Sequence, residues 1–144
     1  MKKRFTMPVA VHLFLIKDRS ILLLRRFNTG YEDGNFSVVA GHIDGDENYI
    51  DAMIREAKEE AGITIYKNQI EPIQVMHRKN VDREGIDYFF VAKQWSGEIK
   101  NMEPNKCDLL EWFDLDNLPY NMVAYIKEAI RKYQEGSKFT DFGW

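Results

Sequence analysis

Apolar and polar positions along this chain follow two rhythms, one of strands and one of helices. Val9 to Ile16 is an apolar run interrupted by a single polar residue, His12, and Ile21 to Leu24 is a second such run across the polar turn Lys17-Asp18-Arg19-Ser20. Short runs rich in large and β-branched residues, bounded by turn formers, predict strands at residues 8–17 and 20–26, joined as a hairpin. A loop rich in turn residues (Asn28, Gly30, Asp33, Gly34, Asn35) leads to a short apolar strand at 36–40. The rhythm then changes. Ile50, Ile54, Ala57 and Ala61 recur at close to 3.6 residues, predicting a helix over 47–61 with Asp46 as N-cap and Gly62 just past its end. Strands return at 70–77, 86–95 and 109–113. A second amphipathic helix is expected at 121–134, with Val123, Ile126, Ala129, Ile130 and Tyr133 on one side. The tail, 136–144, is polar apart from Phe139, Phe142 and Trp144, and two outcomes stand equal for it, packing back on the body or disorder. The pattern is α+β: a mixed β-sheet sandwiched between helices (α/β/α), in one domain over 1–144.

Composition narrows the functional classes. A net charge of −3 over 144 residues lacks the basic face of a protein that grips a nucleic-acid polymer, and no such partner is expected. A small anionic ligand stays compatible, since a metal ion and a few local Arg or Lys residues can neutralise phosphates. Met1-Lys2-Lys3-Arg4 ahead of an apolar run imitates a secretion signal, but Pro8 and His12 interrupt it and no small-residue cleavage site follows. No segment approaches the roughly 20 apolar residues that span a bilayer. The single Cys107 has no partner for an internal disulfide and suits a reducing compartment. A cytoplasmic protein without a membrane partner is expected, as a monomer or a homodimer.

The chemistry concentrates in the first helix. Glu56, Glu59 and Glu60 fall three and four residues apart, and like charges at those spacings each cost a helix about 0.2–0.5 kcal/mol. They also sit near its C-terminal end, where the macrodipole is already negative. A divalent cation would turn this repulsion into attraction. A solvated acidic face, relieved by Asp51–Arg55 and Arg55–Glu59 pairs, is the plain alternative on charge pattern alone.

The framework around those acids decides between the two. Gly41, Glu47, Arg55-Glu56, Glu59-Glu60 and Gly62-Ile63 stand at the spacing of one signature. Residues 41–63 thereby resemble the signature of the Nudix (MutT-like) hydrolases. Ala57 stands where a larger aliphatic residue is usual, and Ala40 where many members have another glycine. The resemblance implies the Nudix fold and Mg²⁺-dependent (or Mn²⁺-dependent) hydrolysis of the diphosphate linkage of a nucleotide. It implies Glu56, Glu59 and Glu60 as metal ligands together with the Ala40 carbonyl. Glu56 is alternatively the general base, Arg55 orients it, and Glu47 and Glu59 complete the catalytic set. A further acidic ligand is implied at Glu103, with Glu98 as runner-up. Arg26, Gly41, His42 and Asn121 are implied contacts to the substrate, although Asn121 could instead cap the last helix and Arg26 could be a solubilising charge. Oxygen donors suit these hard cations.

The substrate expected is a (deoxy)nucleoside triphosphate, oxidised forms included. ADP-ribose or another nucleotide sugar is the alternative, as is a nucleotide-binding regulator of the same fold without turnover. An isomerase of this fold ranks last, because Cys107 lies far along the chain from the acids. His12 is expected on a strand face, without the spacing of a zinc site.

Overall fold

Strand β1 organises the molecule by dividing one of its edges between two neighbours. The computed structural model describes residues 2–144. Its elements are β1 (Val9–Lys17), β2 (Ser20–Arg26), β3 (Phe36–Ser37), β4 (Val39–His42), α1 (Tyr49–Ala61), β5 (Ile70–Lys79), β6 (Glu84–Ala92), β7 (Cys107–Asp114), α2 (Ala124–Glu135) and β8 (Phe139–Phe142). One edge of β1 pairs in parallel with β6 from Val9 to Leu15. Its other edge pairs with β4 over Ala10–Leu13 and with β2 only at Ile16 and Lys17, both antiparallel. The sheet therefore forks, with β4 on one branch and the β3-β2-β7 ribbon on the other.

The two faces of β1 build two cores. Val11, Leu13 and Leu15 pack with Phe90 beneath α1, which contributes Ala52, Met53, Ala57 and Ala61. Phe14, Ile16, Phe89 and Met76 pack beneath Ile126, Ala129 and Ile130 of α2. This is the expected mixed sheet between helices. The small residues on α1 let it lie close to the sheet.

Several expected details are corrected. The N-cap of α1 is Asn48, whose side chain accepts from the Asp51 N–H at 2.8 Å, whereas Asp46 lies in the preceding loop with a left-handed φ of 56°. The helix consequently starts at Tyr49. Its fully buried positions include Met53 in place of Ile54, which is half-buried. The segment expected as one strand at 36–40 is two, β3 and β4, which serve different branches of the fork. Helix α2 begins at Ala124 after Val123, so Asn121 does not cap it. The tail forms β8, parallel to β5, and Trp144 Nε1 donates to the His77 carbonyl at 3.0 Å. Among the described residues no helix is long and apolar enough to cross a membrane.

Removing the Asn48 cap leaves one of the orphan N–H groups of α1 without its partner. Asn48→Ala should lower stability by ~1 kcal/mol in urea unfolding, whereas Asp46→Gly, which relieves a left-handed backbone, should not lower it.

Candidate active site

The C-terminal half of α1 faces the end of β4, and a side chain on the strand at Gly41 would have to displace the Glu56 carboxyl. A Cβ placed on Gly41 would lie 2.1 Å from the Glu56 carboxyl carbon. Glycine there leaves the Glu56 carboxyl in place through this close approach rather than by relieving backbone strain. Next to it, the Ala40 N–H donates to Glu60 Oε1 at 3.1 Å. The strand thus sets Ala40 and Gly41 directly beside the carboxyls of Glu60 and Glu56.

Arg55 gathers the acids. Its Nε and Nη2 donate to the two oxygens of Glu47 at 2.9 and 2.8 Å. Nη1 donates to Glu56 at 2.8 Å and to Glu59 at 3.2 Å, and Nη2 also reaches the His42 carbonyl at 3.2 Å and lies 3.3 Å from Asp44. Arg55 thus holds Glu56 by a hydrogen bond, the contact that an orienting role would need. Glu47 is held by this fork and by the Asp44 N–H, and those hydrogen bonds lower its carboxyl to about 2. The bidentate geometry explains why Glu47 stands outside the helix: its side chain turns back to meet Arg55.

Glu56 and Glu60 have a different character. Burial raises the Glu56 carboxyl against the opposing pull of Arg55. Burial raises Glu60 to about 8, with the Ala40 N–H opposing and the charges of Glu56 and Glu103 adding to the rise. Glu103 arrives from the loop before β7. That loop is tied to the end of α1 by hydrogen bonds from Lys100 N to the Ala61 carbonyl and from Met102 N to the Glu60 carbonyl. Glu98 is exposed and lies outside the cleft described next.

These groups line one end of a cleft of about 670 Å³, which includes Arg26, Ala40, Gly41, His42, Glu56, Glu59, Glu60 and Glu103. Arg26 is turned toward its own loop, donating to the Tyr31 carbonyl at 2.7 Å and to Thr29 Oγ1 at 3.1 Å. Asn121 is not among the lining residues; its amide donates to the Gly34 carbonyl at 2.9 Å. Among the described residues no three His, Cys, Asp or Glu side chains converge as a ready-made metal cage. The donor chemistry nevertheless suits a hard cation: all are oxygens, and the burial that raises the Glu60 carboxyl is a cost that a bound cation would offset.

Sequence reading left out the opposite end of the cleft. His12, Arg78 and Tyr125 line it. His12 and Asp87 are 2% and 1% exposed, and His12 Nε2 lies 2.9 Å from Asp87 Oδ1. A lone polar residue inside each of two apolar strand runs was the available signal.

Comparison with known proteins places the chain among relatives of one family. The NUDIX domain family matches residues 6–133. An ADP-ribose pyrophosphatase from Methanocaldococcus jannaschii is 31% identical over 124 residues, covering 86% of this chain and 70% of that protein. An 8-oxo-dGDP phosphatase from Mus musculus is 24% identical, covering 91% of this chain and 39% of that protein. The crystal structure of a MutT NUDIX hydrolase from Burkholderia pseudomallei superposes with a TM-score of 0.81 at 26% identity, covering 88% of this chain and 98% of that one.

The raised Glu60 carboxyl has a signed consequence for stability. Between its ordinary value of 4.5 and about 8 the folded protein holds a proton that the unfolded chain has released, so this group's contribution falls as pH rises through that window. In chelator, Glu60→Gln should leave Tm near wild type at pH 5 and raise it by roughly 10 °C at pH 8.5. An equal difference at both pH values, read by calorimetry, would count against the buried carboxyl.

Proposed function

Because this chain belongs to the NUDIX domain family and is a Nudix hydrolase, we propose that it cleaves the diphosphate linkage of a (deoxy)nucleoside triphosphate, oxidised forms included, by attack of water on phosphorus. The observation that carries this reading is that the signature acids Glu56, Glu59 and Glu60 line one cleft of about 670 Å³ together with Ala40 and Glu103, the Ala40 N–H donating to Glu60. Glu59, Glu60 and Glu103, with the Ala40 carbonyl, would hold Mg²⁺ or Mn²⁺, and Glu56 takes its alternative role as the general base. Such an ion supplies charge neutralisation for the diphosphate and lowers the pKa of water.

The chain's own residues do the rest. Glu56, whose carboxyl is raised by burial, accepts the proton of the attacking water, and Arg55 Nη1 fixes the direction of that carboxyl. Arg55 is itself fixed by Glu47, so the proton acceptor is oriented through two links. Gly41 lets the strand and the carboxylate approach, and Arg26 and His42 flank the phosphates. A regulator that only binds has no use for this chain of orientation. ADP-ribose is the second reading, favoured by the archaeal relative at 31% identity.

A hydrolysis panel of nucleoside triphosphates, 8-oxo forms, ADP-ribose, other nucleotide sugars and dinucleoside polyphosphates decides the substrate. With Mg²⁺, wild type should release pyrophosphate or phosphate from triphosphates, and chelator should abolish the release. Glu56→Gln and Glu60→Gln should each lower kcat by about 100-fold or more. Rates equal to wild type in both variants would remove the catalytic assignment. A second variant, Gly41→Ala, should be comparably inactive, since its methyl group displaces Glu56.

A further inference from the structure

The floor of the cleft runs from Ala40 on β4 across β1 and β6 to Arg78 on β5. Ala40 pairs with His12, His12 with Phe89, and Arg78 stands opposite Gly85 further along β6. Three strand spacings separate Ala40 from β5, ~14 Å. That is comparable to the reach of a nucleoside from its phosphates to the far edge of its base.

Arg78 is held like a fixed tool. Nε and Nη2 donate to Asp87 at 2.7 and 3.2 Å, and the guanidinium lies 3.7 Å from the centroid of the Tyr125 ring. Nη1 has no protein partner among the described residues. Asp87 is in turn held by His12, which stacks on Phe89 at 4.7 Å. Asp87 accepts only, so His12 Nε2 carries a hydrogen, and Nδ1 is left buried without a partner. Orphaned buried polar atoms are rare and call for a reason. Here the reason is placement: His12 and Arg78 use the Asp87 carboxylate from two sides and lock it.

The pairing shapes what Arg78 can offer. Asp87 offsets the charge of Arg78 and fixes its plane, so Arg78 acts as a directed hydrogen-bond donor, while Arg83 and Lys106 also line the cleft. Tyr31, Tyr125, Leu24 and Val38 add aromatic and apolar surface along the same cleft. A neutral, planar group with acceptors on its edge fits. Arginine has donors only, so a 6-keto purine meets it with acceptors at O6 and N7, whereas a 6-amino group sets donor against donor.

We propose that Arg78, fixed between Asp87 and Tyr125, reads the base edge and makes the enzyme selective for 6-keto purines over adenine. This rests on the nucleotide-hydrolase reading above and deepens it. Asp87 and His12 are positioning residues that act through Arg78.

The test compares ITP and GTP with ATP as substrates, and IMP with AMP in metal-free calorimetric binding. Wild type should favour the 6-keto member of each comparison. Arg78→Met should lower kcat/KM for ITP and GTP by about 10- to 100-fold, chiefly through KM, and leave ATP within about threefold. Arg78→Lys keeps the charge beside Asp87 but not the planar fork, and should lose the same preference. It also carries the test if the Met variant does not fold. A wild-type preference for adenine, or equal losses on ITP and ATP, overturns the proposal while leaving the hydrolase reading intact. If no nucleotide turns over, the hydrolase reading fails alone, and the IMP–AMP difference with its loss in Arg78→Lys still decides for or against the subsite.

Discussion

One guanidinium allows this helix to carry its acids. Arg55 faces Asp44, Glu47, Glu56 and Glu59, and two of those side chains, Glu47 and Glu56, are only 16% and 12% exposed. Exposed ion pairs contribute little, but a partly buried carboxylate without its partner is strongly unfavourable. The arrangement is therefore less a sum of salt bridges than a condition for the others to exist. It also joins three pieces of chain, since His42 ends β4, Glu47 belongs to the connecting loop, and Glu56 belongs to α1. Glu60 lies outside its reach, and burial raises its carboxyl toward protonation instead. The two solutions to crowded negative charge, pairing and protonation, stand within one turn of helix.

The fork at β1 supplies the other constraint. If β2 paired along the whole of β1, β4 would have no edge to join and the cleft would have no wall. Because the pairing divides at Leu13–Ile16, the ribbon carrying Arg26 diverges from the branch carrying Ala40 and Gly41. The space between them is where the acids and the polar floor residues meet. Helix α2 covers the same sheet face further along and closes the cleft beside Tyr125.

Much of this was legible in the sequence, for local reasons. The signature from Gly41 to Ile63 fixes a loop and a helix whose chemistry depends on spacing alone, and the strands announce themselves as apolar runs. What escaped was decided by partners distant in sequence. Asp46 and Asn48 are both good caps, and the choice depends on Glu47 turning out to meet Arg55 eight residues on. Met53 displaces Ile54 from full burial because small alanines bring α1 close to the sheet at a particular rotation. The tail becomes a strand because β5 has a free edge, which no pattern within the tail reveals. His12 and Asp87 are 75 residues apart and become neighbours only through the parallel pairing of β1 with β6.

The segment between β2 and β3 shares few ladder bonds with the sheet and is held mainly by itself. Asp33 accepts from the backbone of Thr29 and Gly30 and from the Thr29 hydroxyl, and Asn35 donates to Glu32. It nevertheless carries Thr29 and Tyr31 into the cleft wall. Lengthening or rewriting it would leave the register of β1 untouched and the acid helix in place. The wall of the cleft on this side is thus built by a segment whose bonds are its own, separate from the ladder that sets the register of the sheet.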